Sequence, residues 1–149
     1  MPRRYVAVCG ASEATSSQLD AAREVGKLLA RNGAVVLNGG YGGVMSAVSE
    51  GAASEGGTVV GLLSESDRDG ANPHLTISLP TGLGQGRNLV IVTAAESVIA
   101  IGKGWGTLSE IAHARKLGRT VVALDTWDVQ GLEVVQSPAE AVQRALATN

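Results

Sequence analysis

Short apolar runs alternate with longer stretches of helical periodicity along most of this 149-residue chain. RYVAVCG, residues 4–10, is nearly continuous in apolar residues and predicts a first strand. In the following TSSQLDAAREVGKLLARNG, Leu19, Ala22, Val25, Leu28 and Leu29 recur near helical spacing, and Gly33 ends the pattern. Thr15 with Gln18, or the nearby Ser17, is placed to cap that helix. AVVLN predicts a second strand, GVMSAVSEGAASEGG a second helix and TVVGLL a third strand, before the polar loop SESDRDGANPH. LTISLP predicts a fourth strand. GRNLVIVTAAE fits strand or helix by periodicity; the strand-like SVIAIG follows almost at once, so it is read as a helix. GTLSEIAHARKLG then predicts a helix, TVVALD a strand, and SPAEAVQRALA a last helix with Ser137 at its N-cap and Pro138 in its first turn.

Continuous apolar strands alternating with helices predict a mainly parallel sheet covered on both faces. The expected class is therefore α/β, a Rossmann-like, doubly wound three-layer sandwich, with residues 1–149 as one domain. The helix over NLVIVTAAE is apolar nearly all round, through Leu89, Val90, Ile91 and Val92. One face can pack on the sheet and the other needs a cover, which predicts a homo-oligomer, a dimer or tetramer.

Composition narrows the function. Hydrophobic residues are 44% and charged ones 17%, a globular balance, and the formal charge of −2 leaves no electrostatic footprint for nucleic acid or an anionic membrane. Arg3 and Arg4 are too short a basic start to form a binding arm. Cys9 is the sole cysteine and cannot form an internal disulfide; with no signal-peptide pattern and no long apolar span, a cytoplasmic location is expected.

The twenty glycines concentrate the chemistry. In open parallel sheets, ligands bind beyond the carboxyl ends of the strands, where loops turn into helices. Three such turns stand out: CGAS with Gly10 and Ser12, NGGYGGVM with Gly39, Gly40, Gly42 and Gly43, and GKGWGTLSE with Gly102, Lys103, Gly104, Trp105, Gly106 and Thr107. Gly40-Tyr41-Gly42-Gly43 can be laid on Gly104-Trp105-Gly106-Thr107. Bare backbone at a helix N-terminus presents amide N–H groups and the positive end of the helix dipole, an anion seat. Thr107 adds a hydroxyl and Lys103 a positive charge, so phosphate is the expected guest. Tyr41 and Trp105 either stack on a base or cover the sheet end.

The first turn, Gly10-Ala11-Ser12, lacks the dinucleotide fingerprint, the second strand ends in Asn38 rather than an acid, and no G-x-x-x-x-G-K-[ST] occurs. A mononucleotide or another phosphorylated small molecule remains. Thr107-Leu108-Ser109-Glu110 matches a capping box, which would make Glu110 a helix cap. Arg87 also opens a helical run after glycines, where it can hold a phosphate or pair with a carboxylate. His74 and His113 have no metal-ligand spacing, so no metal site is expected; Ser12 lacks a nucleophile elbow, and Cys9 reads as a small buried hydrophobe.

GGYGGVMSAVSEGAASEGGTVVGLL, GLGQGRN and IGKGWGTLSEIAHARKLG resemble the SLOG superfamily, which includes the Lonely Guy (LOG) phosphoribohydrolases, once labelled lysine decarboxylase-like, and nucleotide binders related to DprA/Smf. The resemblance covers roughly residues 6–124 and is closest to the small LOG-like group that includes the molybdenum cofactor carrier proteins. The LOG signature P-G-G-x-G-T-x-x-E is matched by Gly104, Gly106, Thr107 and Glu110, and the arginine of M-x-x-R-K by Arg87. The family implies that the glycine loop holds a 5′-phosphate while Arg87 and Glu110 carry N-glycosidic cleavage. Ile101-Gly102-Lys103 replaces the Pro-Gly start, and Asn88 follows Arg87 where the enzymes have lysine. Those departures shift the expectation toward a carrier-like binder of a nucleotide monophosphate or the molybdenum cofactor, with no cofactor required by the chain itself. The alternative is a nucleoside 5′-monophosphate phosphoribohydrolase that releases free base and ribose 5-phosphate.

Overall fold

A computed structural model describes residues 3–147. Seven strands form one sheet in which every pairing is parallel: β1 (Tyr5–Gly10), β2 (Val35–Asn38), β3 (Val59–Leu63), β4 (Ile77–Pro80), β5 (Ser97–Gly102), β6 (Thr120–Thr126) and β7 (Glu133–Val134). Their spatial order is β4-β3-β2-β1-β5-β6-β7. The chain winds outward from β1 to β4, returns to the other side of β1 at β5, and winds outward again. The winding therefore reverses between β1 and β5. This is the doubly wound, three-layer α/β architecture that the alternating pattern implies.

Five α-helices cover the sheet: α1 (Ser16–Arg31), α2 (Val44–Ser54), α3 (Arg87–Ala94), α4 (Trp105–Lys116) and α5 (Pro138–Leu146). One apolar layer joins α1, α2 and α5 to the sheet through Val25, Leu29, Val48, Ile99, Ile101 and Val142. The opposite layer packs α3 and α4 through Ile91, Val92, Ile111 and Ala114 against Ala7, Val98 and Ala100. Strands buried on both faces need no polar alternation, which is why their sequences read as continuous apolar runs.

Local signals set several boundaries. Thr15 accepts from the Gln18 amide while the Gln18 side chain accepts from the Thr15 amide, completing the capping box at α1. Ser137 accepts from the Glu140 amide at 3.1 Å with Pro138 beginning α5. The α1–α2 contact is backbone on backbone: a Cβ at Gly26 would strike Val48 O, and one at Gly51 would strike Arg23 O.

The ambiguous segment GRNLVIVTA is indeed a helix, and its faces divide as expected: Ile91 and Val92 are fully buried, whereas Leu89 and Val90 remain 43% and 39% exposed. The strand β7 was not foreseen. It is two exposed residues long, too short to leave a periodic signal. The largest correction concerns α4. It begins at Trp105, with Gly104 as an extended N-cap, so Thr107 occupies the third helical position and Thr107–Glu110 is no capping box. Gly104 lies in van der Waals contact with the Ala11 backbone and its carbonyl accepts from Trp127 Nε1, so the N-cap sits three residues ahead of the capping-box position.

Candidate functional site

The ends of β1 and β5 open into a cavity of about 230 Å³ at the point where the winding reverses. Open α/β sheets offer their ligand crevice at such a point. Gly10, Ala11 and Ser12 supply one wall, Gly104 to Thr107 and Glu110 another, and Gln85, Arg87, Asn88 and Met45 the rest.

The first turn of α4 gives this cavity its anion-seeking character. Trp105, Gly106 and Thr107 are the first three helical residues, whose amides have no partner within the helix, and no side chain caps them. The Thr107 side chain is 2% exposed and lines the cavity, yet its Oγ1 has no hydrogen-bond partner. It is the one buried side-chain polar atom among the described residues left in that state. A buried hydroxyl without a partner costs about 1–3 kcal/mol, so its persistence beside uncapped amides marks a place for an acceptor.

Arg87 faces this turn from the start of α3. It is 7% exposed; its Nε donates to Leu62 O at 2.9 Å, and its Nη1 donates to Asn88 Oδ1. Its guanidinium carbon lies 5.8 Å from the centre of the Tyr41 ring. Asn88, itself 1% exposed, donates through Nδ2 to Ser109 Oγ at 3.0 Å and so ties α3 to α4. A buried cation held on three sides is a preorganised partner for an anion.

Glu110 lies one turn beyond Thr107 and is 8% exposed. Burial pushes its carboxyl up to about 8, outweighing the opposing pull of Arg87. Cys9 is buried near enough to feel its charge: burial, reinforced by Glu110, pushes the thiol well above its ordinary value. That agrees with Cys9 as a buried, unreactive hydrophobe.

The three glycine turns divide into two kinds. The first and third meet at the cavity through Gly10, Ser12, Gly104, Trp105, Gly106 and Thr107. The second supports them from behind. A Cβ at Gly39 would lie 2.6 Å from Arg87 Nη2 and 2.7 Å from Met45 Sδ, so Gly39 is the space the guanidinium occupies. A Cβ at Gly40 would strike Leu63 and touch Gly61, both in β3, and Gly42 faces open space. Gly43, at φ 68°, is the N-cap of α2 and abuts the carbonyls of Ala11 and Ser12. The likeness of Gly40–Gly43 to Gly104–Thr107 therefore does not extend to conformation: one turn precedes its helix, the other is its helix's first turn.

The aromatic pair also separates. The Tyr41 hydroxyl accepts from the amides of Ser64 and Glu65 at 3.1 and 3.3 Å, so Tyr41 covers the sheet end under Arg87. Trp105 stays 79% exposed at the cavity rim, its ring 5.1 Å from that of Trp127. Trp127 Nε1 donates to Gly104 O at 2.9 Å and pins the turn. Gly102, at φ 84°, leads the chain out of β5. Lys103 then points elsewhere: it is exposed and lines a separate open depression with Glu13, Gln18 and Asp125. Sequence reasoning missed Asn88 and Gln85 as cavity residues, although Asn88 sits beside Arg87 in a run of otherwise apolar helix.

The SLOG cluster4 family model matches residues 3–148. The chain belongs to this SLOG family. An uncharacterized protein of Archaeoglobus fulgidus is 39% identical over 150 residues, spanning 100% of this chain and 99% of that one. The molybdenum cofactor binding protein from the phototrophic bacterium Rippkaea orientalis superimposes with a TM-score of 0.94 at 31% identity, over 99% of this chain and 98% of its own. The molybdenum cofactor carrier protein of Chlamydomonas reinhardtii does so with a TM-score of 0.88 at 30% identity, over 99% and 100%. Among the described residues no group of three or more His, Cys, Asp or Glu side chains is placed to hold a metal ion, and no helix is long and apolar enough to cross a membrane.

Proposed function

We propose that this SLOG protein is a binder of a small phosphorylated ligand, of the molybdenum cofactor carrier kind, with the phosphate seated on the first turn of α4. The unpartnered Thr107 hydroxyl beside uncapped amides carries this reading. Arg87 supplies the buried positive charge, and Gly104 and Gly106 keep the wall bare for close approach. Trp105 offers a ring at the rim for a planar heterocycle beyond the phosphate. Both molybdenum cofactor proteins named above are similar to this chain over nearly its whole length, which supports a cofactor of that class as the cargo.

One observation favours a second reading, nucleoside 5′-monophosphate phosphoribohydrolase: Arg87 and Glu110 line the same cavity. Against turnover stands the state of the acid. A carboxylate that stabilises an oxocarbenium-like centre or activates water must be ionised, and burial disfavours the ionised form of Glu110 by raising its pKa to about 8.

The exposed face of α3, with Leu89 and Val90, supports a homo-oligomer built through that helix.

The test uses the purified protein with a panel of nucleoside 5′-monophosphates, following free base by chromatography and ligand-dependent melting in parallel. The carrier reading predicts stabilisation without base release, and bound pterin, detected by fluorescence after oxidation, in protein purified from a host that makes the molybdenum cofactor. Base release that disappears in Glu110→Gln would instead establish the hydrolase. The absence of stabilisation, bound pterin and base release together would contradict both readings.

A further inference from the structure

Seating an oxyanion on α4 does not by itself require a carboxyl in the same cavity, yet Glu110 is there, on the same helix face as Thr107 and one turn further in. The ion pairs among the described residues do not include it. The titratable and charged groups that face it are Arg87 from α3 and Cys9 from β1. β5 contributes none, and Asp125 near the end of β6 accepts instead from Gln18 Nε2 at 3.0 Å. Arg87 is itself engaged by Leu62 O, Asn88 and the Tyr41 ring, so its charge is not reserved for Glu110.

A bound oxyanion and an ionised Glu110 would be two negative charges in one buried cavity. Like charges in a shared site force one group to hold a proton. A carboxylic acid that keeps its proton becomes a hydrogen-bond donor.

We propose that Glu110 acts in the ligand-bound site as a neutral carboxylic acid that donates its proton in a hydrogen bond to an oxygen of the bound oxyanion, making it a specificity residue for groups that accept hydrogen bonds. This rests on the phosphate-seat reading above. The residue matched to a catalytic position in LOG enzymes is here assigned to recognition. Burial of the carboxyl, which already raises its pKa to about 8, supports the assignment. The approach of an anion raises it further, so binding at alkaline pH draws a proton from solution. The proton stays on the Glu110 oxygen throughout and no covalent bond changes.

Inorganic sulfate is a suitable probe, because it does not titrate between about pH 6 and 10 whereas phosphate does. Its affinity is measured by calorimetry at constant ionic strength for the intact protein, Glu110→Gln and Cys9→Ser. The expected affinity is level up to about pH 7.5 and then falls, approaching about tenfold per pH unit once the carboxyl ionises. Titrations at about pH 8.5 in buffers of different ionisation enthalpy should show net proton uptake. Glu110→Gln keeps an N–H donor of similar shape, so it should bind sulfate at all pH values within about threefold of the neutral-pH affinity, without proton uptake. Cys9→Ser should follow the unsubstituted protein. A pH-independent affinity in the unsubstituted protein, or a wild-type slope retained in Glu110→Gln, overturns the neutral-acid role while leaving the phosphate seat standing. No sulfate binding at any pH overturns the seat itself, and this inference with it. The profile and proton uptake of the unsubstituted protein decide the matter even if a variant fails to fold.

Discussion

Thr107, Glu110 and Arg87 are all buried polar side chains in one cavity, and each leaves a different energetic trace. Thr107→Val removes an unpartnered hydroxyl at nearly constant volume. It should raise stability by up to about 1 kcal/mol, because no hydrogen bond is lost, while lowering phosphate or sulfate affinity about tenfold. Chemical denaturation and calorimetry read the two effects separately. A loss of stability would mean that Oγ1 has an internal partner. Gly39→Ala acts the other way, on support rather than contact. Its Cβ would press on Arg87 Nη2 and Met45 Sδ, side-chain ends that can give way, so it should cost no more than about 1 kcal/mol yet weaken the ligand as the guanidinium shifts. Unchanged affinity in a folded Gly39→Ala would remove Arg87 from the seat. Lys103→Ala should alter affinity less than about twofold, since the ammonium is exposed and lines another depression.

Glu110 also makes a prediction for stability against pH. Its folded-state pKa lies above the unfolded value, so between about pH 4.5 and 8 the folded state binds more protons than the unfolded one. For this acid, stability therefore falls as pH rises through that window. The penalty is absent well below about pH 4.5 and complete above about 8, where it is of the order of a few kcal/mol. Denaturation midpoints of the unsubstituted protein and Glu110→Gln should nearly coincide at about pH 4.5 and separate by about pH 9, with the variant the more stable. Parallel curves would contradict the burial of this carboxyl.

At the scale of elements, most of the architecture was legible because the apolar runs and their punctuation are local. α1 and α5 carry their caps in sequence, at Thr15 with Gln18 and at Ser137 with Pro138. Ser137→Ala should accordingly cost about 1 kcal/mol in a thermal or chemical melt, and an unchanged midpoint would mean that the cap is dispensable. α4 shows where local reading stops. Thr107-Leu108-Ser109-Glu110 has the letters of a capping box, yet the helix starts at Trp105, with its Gly104 N-cap in contact with Ala11, a residue more than ninety positions away. The same limit explains the second glycine turn. Its composition matches a ligand loop, but its glycines answer to Arg87, Gly61, Ala11 and Ser12, neighbours that only the folded sheet brings near. Arg87 and Glu110 were legible as candidates through family resemblance; their common cavity and the support from Asn88 and Tyr41 are properties of the fold.

For the whole molecule, the reversal of winding between β1 and β5 explains why the first and third turns form most of the site while the second contributes only Met45 to its lining. Two long-range features then combine there, the crossing of two loops and the start of α4. The homo-oligomer proposed through the outer face of α3 has its own test: Leu89→Lys with Val90→Glu should reduce the mass measured by sedimentation while leaving the fold intact. A monomer before substitution would exclude that interface. Amide-resolved NMR tests most directly where the phosphate sits. On titration with adenosine 5′-monophosphate or inorganic phosphate, the amides of Trp105, Gly106 and Thr107 should shift furthest, accompanied by those around Gly10 and Ser12. Shifts confined to Gly40–Gly43 or to Lys103, or none at all, would contradict a phosphate seat on α4.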